Sequence, residues 1–187
     1  MVIEMNNIVL VGFMGTGKSA AGRLLAKQMH RLFLDLDEKI ERETGRPISE
    51  IFAEEGESGF REKEAEAVRE AAKLEAHVIS AGGGVMLSDE NVAVLKKCGV
   101  LVCLTARPDV ILQRTLATLP SRPLLSGQNP KGWIEELLKL REPFYARADM
   151  VIDTSDRSVE EVVEEILKKT GAGDKGRETG GGEKGKK

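Results

Sequence analysis

The chain has two cysteines, Cys98 and Cys103, no Cys-x-x-Cys pair, and no histidine cluster beside either of them. That argues against a structural zinc site or a dithiol redox motif and leaves two free, buried thiols as the expectation. No apolar run approaches the ~20 residues of a bilayer-spanning helix, and the N-terminus lacks the basic and apolar regions of a signal peptide. A cytoplasmic protein with no membrane partner is expected. Charge of neither sign dominates: 28 Lys plus Arg stand against 31 Asp plus Glu, a formal net charge of -3. Neither a nucleic-acid polycation nor an acidic tail protein is suggested, and no nucleic-acid partner is expected. No internal repeat is visible. The 187 residues, 41% of them hydrophobic, suffice for one α/β domain with a substantial core.

Against these absences stands one dense motif. Residues 12–19 read GFMGTGKS and fill the pattern GxxxxGK[ST] at every fixed position. In such a loop successive backbone N–H groups surround a phosphate chain, and side chains at Gly12, Gly15 or Gly17 would block the turn or the approach. Lys18 is placed for the β and γ phosphates, and Ser19 for Mg²⁺ as a helix begins. The flanks agree. Residues 7–11 (NIVLV) form a short β-branched run suited to a buried parallel strand. Ala21, Leu24, Leu25 and Met29 then recur at helical spacing, with Arg23, Lys27 and Gln28 on the other face.

Residues 32–37 (LFLDLD) carry strand character into two carboxylates. Strand alternation would send Phe33, Asp35 and Asp37 to one side, toward the carboxyl end of the sheet where ligands of open α/β folds sit. The alternative is that one Asp simply caps a helix over 38–44. Gly45 and Pro47 punctuate the chain before a short helix at 48–52, stopped by Gly56. A longer helix is predicted over 58–76. Its stripe of Ala65, Val68 and Ala72, extended back by four, turns Arg61 inward, unless the arginine stem merely covers the core.

Residues 77–81 read as another buried strand, ended by Gly82, Gly83 and Gly84, which form either a close approach to a ligand or a plain turn. Ser88 caps a helix to Lys97, and residues 100–104 form the next strand. Pro108 opens a helix through about Thr118. Residues 119–132, with Pro120, Pro123, Gly127, Pro130 and Gly132 around Arg122, read as a lid that excludes water. The helix after it has Ile134, Leu138, Tyr145 and Ala148 at helical spacing, with Arg141 on the same stripe and a bend expected at Pro143. A last strand at 150–153 and a helix from Ser158 complete the domain, 1–170. The glycine- and charge-rich residues 171–187 form a tail expected to be disordered.

Taken together, the GFMGTGKS loop, the FLDLD strand end, GFRxxE at 59–64, the glycine triplet, SRPLL at 121–125 and LREPFY at 140–145 make the chain resemble the shikimate kinase family over about residues 7–169. The resemblance implies a three-layer α/β/α phosphate-loop kinase fold, with a five-stranded parallel sheet and helices on both faces, and a monomer. The implied activity is ATP-dependent phosphorylation of shikimate to shikimate 3-phosphate, in chorismate and aromatic amino acid biosynthesis. By the same resemblance Gly15, Thr16, Gly17, Lys18, Ser19, Ala20, Arg114 and Arg122 bind ATP, with Arg114 covering the adenine. Ser19 holds Mg²⁺ directly and Asp35 through water. Asp37, Arg61, Gly82, Gly83, Gly84 and Arg141 bind shikimate, the two arginines taking its carboxylate and Asp37 its hydroxyls. Lys18, Asp37 and Arg122 carry the catalysis. The chain departs from the family pattern at Ala20, where relatives often carry threonine. It also lacks the Asn-Pro pair of some members near 153–158, which leaves Arg157 without an assigned role. A related small-molecule kinase, such as a gluconate kinase, and a nucleotide-dependent regulatory module are the alternatives.

Overall fold

The computed structural model describes residues 7–116 and 129–172. Five short strands form one parallel sheet: β1 (Asn7–Val11), β2 (Leu32–Asp35), β3 (His77–Ser80), β4 (Gly99–Thr105) and β5 (Met150–Asp153), in the order β2-β3-β1-β4-β5. β1 is buried along its whole length between β3 and β4, which pair with its two edges. The strand order therefore switches at β1, and a crevice opens beyond its carboxyl end.

Alternation along β1 assigns its side chains to two cores. Ile8 and Leu10 join Val78, Val102 and Leu104 under α1 (Lys18–Gln28) and α7 (Val159–Thr170), packed through Ala21, Leu25, Val162, Val163 and Ile166. Val9 and Val11 face the opposite layer with Ile79, Leu101 and Cys103. That layer is built from α2 (Leu36–Thr44), α3 (Ile48–Ala71), α4 (Asp89–Cys98), α5 (Pro108–Thr115) and α6 (Pro130–Tyr145). A period of two feeding helices on both faces is what a doubly covered parallel sheet requires. Cys98 and Cys103 are free and buried, as expected. No described helix is long and apolar enough to cross a membrane.

The boundaries differ from the sequence expectation at informative places. β2 ends at Asp35, whose side chain accepts from Asp37 N and caps α2 directly. Asp37 thus sits in the first turn of a helix, and strand alternation does not govern its direction. Gly56, at φ 71 and ψ -174, interrupts the helical path within α3, so the expected stop between a short and a longer helix falls there as a kink between two helical segments. The buried face of α3 is Phe60, Glu64, Ala67, Val68 and Ala71, not Ala65, Val68 and Ala72. Alanine and glutamate dominate this helix, so its apolar phase was ambiguous by about one position, and Arg61 flanks the buried stripe instead of heading it. A 3-10 turn at Val85–Leu87 follows the glycine triplet.

α6 begins at Pro130, with Asn129 capping through Gly132 N, so residues 130–132 belong to the helix and not to a lid. Proline at the first helical position gives up an N–H that has no intrahelical partner. Pro143 lies inside α6, which continues to Tyr145. The rest of the expected lid, 119–128 with Arg122, lies outside the described residues, as does the tail from 173.

Candidate active site

The loop between β1 and α1 lies in the crevice at the switch point. Gly12 has φ 131, and a Cβ there would fall on the backbone carbonyl of Leu104 in β4. Conformation and space both demand glycine at this position. Thr16, buried, donates from Oγ1 to the Phe13 carbonyl at 2.7 Å. Lys18 donates from Nζ to the carbonyls of Gly12 at 3.0 Å and Phe13 at 2.9 Å, which holds its ammonium over the loop. Ser19 Oγ donates to Asp35 Oδ2 at 2.7 Å, while Asp35 Oδ1 accepts from Asp37 N at 3.1 Å. The two sequence readings of Asp35, helix cap and site carboxylate, describe one residue using its two oxygens separately. A hydroxyl and a carboxylate at that distance are hard oxygen donors, suited to a cation that keeps most of its own water. Among the described residues no group of three His, Cys, Asp or Glu side chains forms a protein-only metal cage.

Beside the loop, the glycine triplet meets four charged side chains in succession. A Cβ at Gly82 would lie 2.8 Å from Asp37 Oδ1 and 3.2 Å from Glu64 Oε1. One at Gly83 would lie 3.4 Å from Arg141 Nη1, and one at Gly84 would overlap the Arg61 guanidinium. None of the three has positive φ. Space for the charged groups, not backbone freedom, is why these positions are glycine. Arg141 donates from Nη1 to the Gly83 carbonyl at 3.4 Å and lies 5.3 Å from the Phe13 ring centroid. Tyr145 OH donates to the same carbonyl at 2.9 Å.

Arg61 is held by two carboxylates of its own helix, Glu64 Oε2 at 2.8 Å and Glu57 Oε1 at 3.0 Å. Its approach to the site is thus stabilised internally, not only by an incoming anion. Glu64 is 2% exposed, and its Oε1 has no hydrogen-bond partner among the described residues. Sequence reasoning assigned it no role, because a glutamate on a charged helix reads as solvent-facing. The available signal was its place in the GFRxxE segment, three residues from Arg61 on one helical face.

Electrostatics link the two halves. Burial first, then neighbouring Asp35, and to a smaller degree Glu64 and Glu41, together push the Asp37 carboxyl up to about 6 against the opposing pull of Lys18. Burial also raises Glu64, against the pull of Arg61 and Arg141. A carboxyl brought near neutrality between a lysine and an acid is a group prepared for proton transfer.

On the far side of the loop, Arg114 donates from Nη1 to Thr154 Oγ1 at 2.9 Å and from Nη2 to the Thr154 carbonyl at 2.7 Å. Arg157 pairs with Glu165 of α7. Ala20, exposed in the first turn of α1, carries no polar side chain. The fold therefore brings Gly15, Thr16, Gly17, Lys18, Ser19, Asp35, Asp37, Arg61, Gly82, Gly83, Gly84 and Arg141 around one crevice, with Arg114 at its edge. Arg122 lies outside the described residues.

A glycine loop between a central parallel strand and a helix, with its lysine folded over it and a serine–aspartate pair beside it, defines a phosphate-loop phosphotransferase of the α/β/α class. Residues 14–170 match the family model described as shikimate kinase. The chain belongs to the shikimate kinase family. It is 48% identical over 164 residues to the shikimate kinase of Caldanaerobacter subterraneus subsp. tengcongensis, covering 88% of this chain and 95% of that protein. It is 50% identical over 164 residues to that of Thermodesulfovibrio yellowstonii, covering 88% and 94%. A solved shikimate kinase from Acinetobacter baumannii in complex with shikimate superposes with a TM-score of 0.86 at 38% identity, covering 91% of this chain and 96% of that one. The structure from Aquifex aeolicus gives 0.75 at 33% identity, covering 91% and 99%.

Proposed function

We propose that this chain transfers the γ-phosphoryl group of ATP to a ring hydroxyl of shikimate, giving shikimate 3-phosphate and ADP, within chorismate and aromatic amino acid biosynthesis. The observation that carries this reading is that Arg61 and Arg141, from two different helices, abut Gly84 and Gly83, with Asp37 at Gly82, directly beside the phosphate loop. Two guanidinium forks suit one carboxylate, and an acid next to them suits hydroxyls.

Loop N–H groups and Lys18 stabilise charge on the β and γ phosphates. Glu64 holds Arg61 in place for the acceptor carboxylate. Asp37 orients the acceptor hydroxyl and accepts its proton as the phosphoryl group moves, a role that its raised pKa near 6 supports at neutral pH. Mg²⁺, when bound, would supply neutralisation of phosphate charge. Ser19 directly, and Asp35 through water, are the residues whose oxygens fit it. Arg114 covers the adenine, and Arg122 reaches the transferring group, both on the strength of the family resemblance. We read the active form as a cytoplasmic monomer on the strength of the family resemblance.

The test is ADP release with ATP, Mg²⁺ and a panel of hydroxy acids. Turnover with shikimate and none with gluconate is expected. Gluconate turnover would transfer the chain to the alternative kinase class, and ATP binding without transfer to any acceptor would favour a regulatory module. Sedimentation at working concentration checks the monomer.

A further inference from the structure

We infer that Thr154 is a positioning residue of the nucleotide site, holding the outer side of the phosphate loop and the Arg114 guanidinium in one hydrogen-bonded unit. The inference rests on the nucleotide site proposed above. Thr154 follows β5 directly and is 3% exposed. Its N–H donates to the Thr105 carbonyl at 2.8 Å, which ties it to the end of β4. Its Oγ1 lies 3.0 Å from the Thr16 carbonyl and 3.1 Å from the Thr105 carbonyl, and it accepts from Arg114 Nη1 at 2.9 Å. The Thr154 carbonyl accepts the second arm of the same guanidinium at 2.7 Å. Arg114 Nη1 also reaches the Gly15 carbonyl at 3.4 Å.

A hydroxyl has one proton and two lone pairs. Here the proton is shared between two carbonyls, and a lone pair is taken by a cation. The loop explains why this matters. N–H groups that converge on a phosphate require the intervening carbonyls to turn outward, and buried carbonyls need partners there. Thr154 and Arg114 are those partners for Thr16 and Gly15, consecutive with the residues expected to line the phosphates. Thr154 touches no expected substrate atom, so its effect is on preorganisation of the loop and of Arg114, not on the reacting group.

Thr154→Val keeps the side-chain volume and removes the hydroxyl, while Thr154→Ser keeps the hydroxyl. Calorimetric titration of the full chain with ADP, with inorganic tripolyphosphate and with shikimate, each with Mg²⁺, reads the effect. The valine variant should lose roughly tenfold in affinity for both ADP and tripolyphosphate, the worth of a hydrogen bond to a charged group, with shikimate changed by less than about twofold. The serine variant should match the parent within about twofold for all three. Unchanged ADP and tripolyphosphate affinity in Thr154→Val overturns the inference. So does a loss confined to ADP, which would leave the loop uninvolved. Equal losses for all three ligands with a fall in melting temperature shared by the serine variant would mark a structural role only, and also overturn it. If the valine variant does not fold, Thr154→Cys substitutes a weak donor and is read by the same criteria. Lys18→Ala, titrated in parallel, separates the two levels. If that variant binds tripolyphosphate like the parent, the nucleotide-site reading itself fails. If it is impaired while Thr154→Val is not, only the role of Thr154 fails.

Discussion

At the scale of single residues, the site is a set of carboxyls placed at different distances from cations. Asp37, raised to about 6 by burial and by Asp35, should lose its base function as pH falls, so turnover should drop through about pH 6. A pH–rate profile checks it, and a profile flat from 7 to 5 would contradict the role. The same shift has a stability consequence of opposite sense. The folded pKa lies above the ordinary value of 3.8, so the folded state binds more protons in the interval between them. The resulting stabilisation is fully present below about 3.8 and is lost as pH rises through about 6. At pH 7 the charged, half-buried Asp37 therefore costs stability, on the order of 1–2 kcal/mol after discounting for solvent. Asp37→Asn should raise the melting temperature at pH 7 while lowering turnover by a factor of roughly 100 or more. Glu64 is the complementary case. Glu64→Gln removes the buried partner of Arg61 but leaves the nucleotide side untouched, so shikimate affinity should fall about tenfold with ADP affinity unchanged. Equal losses for the two ligands in calorimetry would show that Glu64 supports the fold at large.

At the scale of elements, the glycines of the loop and of the triplet do different physical work, and alanine substitutions should separate them. At Gly12 the obstacle is the carbonyl of Leu104 in a central strand, and φ is positive. Neither can relax, so Gly12→Ala should destabilise by roughly 2–4 kcal/mol, visible as a lower melting temperature. At Gly84 the obstacle is the far end of the Arg61 side chain. That group can swing away, so Gly84→Ala should melt within a few degrees of the parent yet bind shikimate at least about tenfold more weakly. If Gly84→Ala unfolded and Gly12→Ala did not, the assignment of the two obstacles would be reversed. Among the helices, α3 and α6 share the proposed acceptor site by placing one arginine each against the glycine triplet, and α6 also grips the triplet through Tyr145. Arg147 strengthens that attachment by donating to the Met86 carbonyl and pairing with Asp89.

At the scale of the whole molecule, the strand order places every contributing element at one end of the sheet. Ligands that bind only this folded arrangement must stabilise it. Shikimate at 100 times its dissociation constant should add about 2.7 kcal/mol to unfolding, and Arg141→Lys should lose most of that gain at the same concentration. A thermal-shift titration of both proteins decides it.

The five strands, the phosphate loop, the two buried thiols and the Ser158 start of α7 were legible in the order of residues alone, because each rests on contacts within a few residues and on a repeating pattern. The sequence also singled out Arg61, Arg141 and Asp37, although the reasons held only in part. Asp37 reached the site from a helix and not from a strand, since Asp35 both ends β2 and caps α2, and a short LDLD run does not say where the period changes. The phase of α3 was off by one because alanines mark a buried face weakly. The partners of the site residues were decided only by the tertiary structure. Glu64 became buried because α3 packs with that face inward, and Thr154 met Arg114 and Thr16 because β5 ends next to the loop. Such pairs lie 40 and 138 positions apart in the chain, and no local spacing encodes which distant polar group completes a buried hydrogen bond. That choice is made when the sheet assembles and every interior donor and acceptor must be satisfied at once.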